Sequence, residues 1–139
     1  MLSRVLVPMD DSPLSERALA YALENHPDAS VTVMAVVGEP SMMMGDAVGL
    51  AVADDLETAA TDRAEPIFDR ARDIAADHDA EIDTLVDVGR PARAIVTRAD
   101  EYDAVVIGSH GGDVADRLFV GNVAETVFER SPVPVTVVR

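Results

Sequence analysis

Short strand-like apolar runs alternate with helical patterns along the whole of this 139-residue chain, and that alternation most restricts what it can fold into. Residues 3–9, 30–37, 81–88, 103–107 and 133–138 read as strands rich in Val and Ile. Ser12-Pro13 opens a first helix, Ser as N-cap and Pro at the first helical position, running to about Asn25 with Leu14, Ala18, Leu19, Ala22 and Leu23 inward. A second covers 54–79, with Leu56, Ala60, Ala64, Ile67, Ala71 and Ile74 on one stripe; Pro66 within it predicts a kink or a late start. The third follows Gly89-Arg90-Pro91 and turns Ala92, Ile95, Val96 and Ala99 inward. The fourth carries Val120, Val123, Ala124 and Val127 at i, i+3, i+4 and i+7 and ends near Arg130, before Ser131-Pro132. Such a chain is expected to form one domain over 1–139, a three-layer α/β sandwich whose parallel sheet has helices on both faces.

In such sheets ligands sit beyond the carboxyl ends of the strands, where the winding reverses. Pro8-Met9-Asp10-Asp11, Val36-Val37, Val88-Gly89 and Gly108–Gly111 fall at those ends. The stretch from Gly108 to Val123 reads as strand end, glycine-rich loop and helix start. Glycines at 108, 111 and 121 let the backbone turn tightly, and their N–H groups, with the positive end of the next helix, make a cradle for phosphate. The spacing matches neither GxGxxG nor GxxxxGK[ST], so glycines that merely shape the turn and cap the helix are the competing reading.

Charge narrows the partners. Asp and Glu number 26 against 11 basic residues, all of them Arg, for a formal net charge of −15. A small fold carrying that self-repulsion calls for screening. At ~1 M salt the Debye length falls to ~3 Å, which points to a salt-adapted cytoplasm. Nucleic acid is excluded as a partner for want of a basic patch. No apolar run approaches the ~20 residues that span a bilayer and no basic-then-apolar leader opens the chain, so a soluble cytoplasmic protein, away from membranes, is expected. The absence of cysteine removes disulfides and thiolate metal sites. Met42-Met43-Met44, in the patternless 38–53 stretch, reads as an adaptable lid or as a loop packed on the core, the latter favoured. His26 and His78 fall at helix ends, where structural roles are expected.

Gly108-x2-Gly111-x9-Gly121 resembles the ATP-binding signature of the universal stress protein (UspA-like) family, Gly-x2-Gly-x9-Gly-[Ser/Thr]. The likeness extends to Val-Leu-Val-Pro-Met-Asp-Asp-Ser in the first strand, to Gly89-Arg90-Pro91-Ala92 and to the closing Ser-Pro-Val-Pro-Val. It implies a five-stranded sheet of order 3-2-1-4-5, of the adenine nucleotide alpha hydrolase-like and Rossmann-like kind, commonly in a homodimer. Together with the charge, it suggests a haloarchaeal-type source. It also implies a site for ATP, or AMP or ADP, with Mg²⁺ accompanying the nucleotide. Pro8, Met9 and Asp10 would lie against ribose and adenine, Asp10 accepting from a ribose hydroxyl, and Val36 would touch adenine. Gly108, Ser109, His110 and Gly111 would wrap the phosphates from one side, and Gly121, Asn122 and Val123 would approach from the helix N-terminus. Asn122 stands where the family has Ser or Thr; it loses the hydroxyl but can N-cap a helix, so weakened binding is expected. Asp113 and Asp116 in the same loop, with Arg117 nearby, oppose phosphate unless salt or a divalent ion screens them.

Other readings compete with this one. A phospho-acceptor receiver domain would use Asp10-Asp11, Asp87 as acceptor and Ser109, yet it needs a lysine that this chain lacks. Hydrolysis as a main activity is weakly supported, because adjacent Ser109-His110 cannot form a nucleophile–base pair and no G-x-S-x-G elbow exists. Slow ATP turnover would rest on Asp10 positioning a metal. The last strand, apolar on both faces and uncovered, suggests a homodimer joined through 133–138, which suits a nucleotide-free interaction module equally well.

Overall fold

The computed structural model describes residues 3–38, 53–109 and 121–139, with 53–56 described by backbone alone. Strands β1 (Arg4–Pro8), β2 (Ser30–Val37), β3 (Ile82–Val88), β4 (Ala104–Gly108) and β5 (Val135–Val138) form one parallel sheet of order β3-β2-β1-β4-β5. Helices α1 (Pro13–Asn25), α2 (Ala53–Asp77), α3 (Pro91–Ala99) and α4 (Asn122–Arg130) connect them. The expected sheet order is the one found. No helix among the described residues is long and apolar enough to cross a membrane.

Strand side chains alternate between faces, so a strand covered on both sides must be apolar throughout. Val5, Val7, Val31, Val33, Ala35 and Val106 pack against Ala18, Leu19 and Ala22 of α1 and Ala64, Phe68 and Ala71 of α2. Their neighbours Leu6, Met34, Val105 and Ile107 pack on the other face against Ile95 and Ala99 of α3 and Ala124 and Val127 of α4. Two cores, one on each side, thus hold the sheet between helical layers. At the amino end, the Asp103 carboxylate accepts from the N–H groups of Ser3 and Arg4, both at 2.9 Å, and these bonds hold its pKa below the ordinary value.

Three local expectations need correction. Pro66 does not delay α2, which begins at Ala53 and continues through it to Asp77. Pro66 and Asp62, whose carbonyl the proline ring leaves without a donor, both lie on the exposed face, open to solvent. Asn122 is not an N-cap: Gly121 holds that position (φ −68°, ψ 161°) and Asn122 is the first helical residue. The last strand starts at Val135 rather than 133, because Ser131 Oγ folds the preceding segment onto Val133. The Pro134 carbonyl nonetheless accepts from the Val105 N–H at 2.9 Å.

His26 and His78 both sit as structural groups. His26 caps α1, its N–H donating to the Ala22 carbonyl at 2.9 Å. His78 Nδ1 lies 2.9 Å from the Ile74 carbonyl and Nε2 3.1 Å from a Glu24 carboxylate. Two such acceptors suit the doubly protonated ring, and they raise the pKa of His78, the Ile74 carbonyl contributing most.

Candidate functional site

A crevice of about 460 Å³ opens at the carboxyl end of the sheet, over the adjacent ends of β1 and β4 where the strand order reverses. The first turn beyond β3 contributes Pro91 and, one helical turn on, Ile95. The end of β2 contributes Met34 and Val36; β1 and its exit contribute Pro8, Met9 and Asp10; β4 and its exit contribute Ile107, Gly108 and Ser109. The N-terminus of α4, from Gly121 to Ala124, completes the wall. Asp10 is the single charged side chain among the described residues that line it.

The exit of β1 is fixed by a short chain of bonds. The Met9 N–H donates to the Met34 carbonyl at 2.8 Å, carrying the β1–β2 ladder one residue past the strand. The Ser12 N–H donates to Asp10 Oδ1 at 2.8 Å. Ser12 Oγ accepts from the Ser15 N–H at 3.3 Å, which is the expected helix cap. Ser15 Oγ accepts from the Asp10 N–H at 3.3 Å and lies 3.0 Å from the carbonyls of both Asp10 and Ser12.

Gly108 owes its identity to packing. A Cβ there would lie 2.9 Å from the backbone carbon and oxygen of Leu14, so the first turn of α1 fits over β4 only where no side chain stands. Beyond it the Ser109 N–H donates to the Val138 carbonyl at 2.7 Å, and the Ser109 carbonyl accepts from the Gly121 N–H at 2.6 Å. The chain therefore leaves the sheet at Ser109 and returns beside it at Gly121, carrying the start of α4 to the crevice. The first intrahelical bond of α4 is Glu125 N–H to the Gly121 carbonyl at 2.9 Å. The N–H groups of Asn122, Val123 and Ala124 precede it and have no carbonyl within the helix to take. Gly121 offers no side-chain cap to them. With the dipole of α4 behind them, these amides suit an anion.

Nine of the residues expected at a site, namely Pro8, Met9, Asp10, Val36, Gly108, Ser109, Gly121, Asn122 and Val123, line this crevice together. His110 and Gly111 lie outside the described residues, as do Asp113, Asp116, Arg117, Val120 and the methionines at 42–44. Ser15, Met34, Pro91, Ile95, Ile107 and Ala124 also line it without having been expected there. The i, i+4 spacing of Pro91 and Ile95 behind the Gly89 turn was their one sequence signal. Gly89 itself has φ +135°, a conformation that favours glycine, and its N–H donates to the Val37 carbonyl at 2.9 Å.

The receiver reading is overturned. Asp87, its acceptor, lies on β3 at the sheet edge rather than over the crevice. Arg98 grips it through two bonds, Nε to Oδ2 at 2.9 Å and a terminal nitrogen to Oδ1 at 3.2 Å.

Fold and crevice together define an open, doubly wound α/β domain with a ligand-sized cleft at its switch point. The family model described as Universal stress protein family matches residues 1–139, and the chain belongs to that family. The universal stress protein Mb2028c of Mycobacterium bovis is 30% identical over 138 residues, a match covering 97% of this chain and 45% of the relative. The chain thus spans under half the length of that protein. Among solved structures, a universal stress protein in complex with cAMP is 26% identical with a TM-score of 0.71, over 99% of this chain and 97% of its own. The universal stress protein from Archaeoglobus fulgidus in complex with dAMP is 25% identical with a TM-score of 0.66, over 100% and 98%.

Proposed function

We propose that this chain is an adenine-nucleotide-binding regulatory module that takes ATP, ADP or AMP at the crevice and is not a dedicated enzyme. The observation that carries the reading is the order of chemistry along the sheet edge. Apolar Pro91, Ile95 and Val36 stand at β2, the Asp10 carboxylate at the exit of β1, and backbone amides at the exit of β4 and the start of α4. Neighbouring strands lie about 4.8 Å apart, so this sequence unfolds over roughly 10 Å from β2 to β4. Base, sugar and phosphate follow one another over a similar span. Pro8, Met9 and Val36 would meet the base and sugar, Asp10 a ribose hydroxyl, and Gly108, Ser109, His110, Gly111, Gly121, Asn122 and Val123 the phosphates. That two structural neighbours are complexes with cAMP and dAMP supports the same ligand class.

Asp10, the single carboxylate among the described residues of the site, suits Mg²⁺ only as part of a metal–nucleotide complex, in which phosphate oxygens supply the remaining ligands. The anionic body fits a salt-adapted cytoplasm of haloarchaeal type. β5, half-buried at the sheet edge, would pair with its equivalent in a homodimer joined through 133–138.

Calorimetric titration with ATP across KCl concentration, with and without Mg²⁺, tests the proposal. Relief of like-charge repulsion worth about 1 kcal/mol would tighten binding about fivefold between low and molar salt. Light scattering on the same samples would give twice the chain mass. Affinity that falls steeply as salt is added would mean that basic side chains hold the phosphate, and would contradict the reading.

A further inference from the structure

The turn from β1 into α1 holds one residue at more points than a helix cap requires. Asp10 is fixed through its N–H, which donates to Ser15 Oγ, through its carbonyl, which shares the one Ser15 hydroxyl proton with the Ser12 carbonyl, and through Oδ1, which accepts from the Ser12 N–H. Ser12 and Ser15 are 1% and 5% exposed, so the Ser12 N–H and the Ser15 hydroxyl that hold Asp10 are shielded from competing water. The Ser12 cap itself needs only the Ser12 Oγ and the Ser15 N–H. The extra bonds made by the Ser15 hydroxyl all return to the backbone ahead of the helix.

From this we infer that Ser15 is a positioning residue that makes the crevice selective for ribose over deoxyribose nucleotides. The inference rests on the adenine-nucleotide reading above and goes beyond it. An ionised carboxylate is an acceptor only. With Oδ1 occupied, Oδ2 has no hydrogen-bond partner among the described residues, and the half-buried side chain lines the crevice. A negative oxygen held there repels phosphate and rewards a neutral hydroxyl donor. A ribose offers that acceptor two adjacent donors, its 2′ and 3′ hydroxyls; a 2′-deoxyribose offers one fewer. Sites built to bond a hydroxyl reject analogues lacking it because their own polar group is stranded. The discrimination requires a carboxylate that cannot swing back to water, and the Ser15 hydroxyl supplies the restraint on the Asp10 backbone.

The test is the ratio of AMP to 2′-deoxy-AMP affinity, by calorimetry in molar KCl, for the wild type and variants at position 15. The wild type is expected to prefer AMP by about tenfold or more, the factor set by one hydrogen bond to a charged group. Ser15→Ala is expected to bring the ratio close to one by weakening AMP while leaving 2′-deoxy-AMP nearly unchanged. Ser15→Cys preserves the volume but replaces the hydroxyl with a weakly bonding thiol. It is expected to do the same, and it decides the matter if the alanine variant does not fold. Ser15→Thr, which keeps the hydroxyl, is expected to retain the preference. A ratio unchanged in the alanine or cysteine variant, or a loss shared equally by both nucleotides, overturns the inference. A wild type that binds both equally overturns it while the nucleotide reading stands; one that binds neither overturns both.

Discussion

Gly108→Ala is expected to lower the unfolding free energy by about 2–3 kcal/mol, and the melting temperature by roughly 10 °C. The added Cβ would sit 2.9 Å from the Leu14 carbonyl carbon and oxygen and 3.2 Å from its Cβ. Two of these three atoms are backbone, in a helix whose Leu14, Ala18 and Ala22 are buried, so no flexible side chain can swing aside. Either α1 lifts from β4 or the strand end retreats, and each opens a packed layer. Because the Ser12–Asp10–Ser15 turn leads into the same helix turn, nucleotide affinity should fall with stability. Thermal unfolding followed by circular dichroism measures the first effect. A change below about 0.5 kcal/mol, the range of an ordinary surface substitution, would show that the close approach of α1 is not needed.

Asn122→Pro is expected to leave the fold in place and to weaken AMP or ATP binding by about tenfold or more. Proline is favoured at the first helical position, where its missing N–H has no intrahelical partner to lose. Gly121 precedes it at φ −68°, ψ 161°, within the extended region that a residue before proline requires. The substitution therefore removes one amide from the start of α4 without breaking the helix. Asn122→Ala, which keeps the amide and drops the side chain, should bind much more nearly as the wild type does. If both variants bind alike, the backbone amide at 122 is not a phosphate donor.

The layers were legible because each buried strand and helix declares its period: Val5-Leu6-Val7 and Ala104–Ile107 are apolar on both faces, and α1 opens on an unmistakable Ser-Pro, whereas the strand order was implied only by the family resemblance. Element ends were less legible. Pro66 speaks against a helix locally, but its exposed position leaves the freed carbonyl open to solvent, and burial is a tertiary property. The three glycines suggested a phosphate loop, yet what demands Gly108 is a helix turn more than ninety positions away in sequence. Ser15 looked like one more residue extending the first helix; only the fold turns its hydroxyl back onto Asp10. Ile95 read correctly as core, and its second role as crevice wall, which its i, i+4 spacing from Pro91 only hints at, depends on how α3 packs over the sheet.

In the proposed complex, main-chain amides at the start of α4, rather than basic side chains, receive the phosphate of the nucleotide. Backbone ¹H–¹⁵N shifts recorded while AMP is added in molar KCl report on those amides one by one. The largest saturable shifts are expected at Asn122, Val123, Ala124 and Ser109, smaller ones at Asp10 and Val36, and none at Ser3, Arg4 or Asp103 at the opposite end of the sheet. Shifts confined elsewhere, or no saturable shift at millimolar AMP, would contradict it.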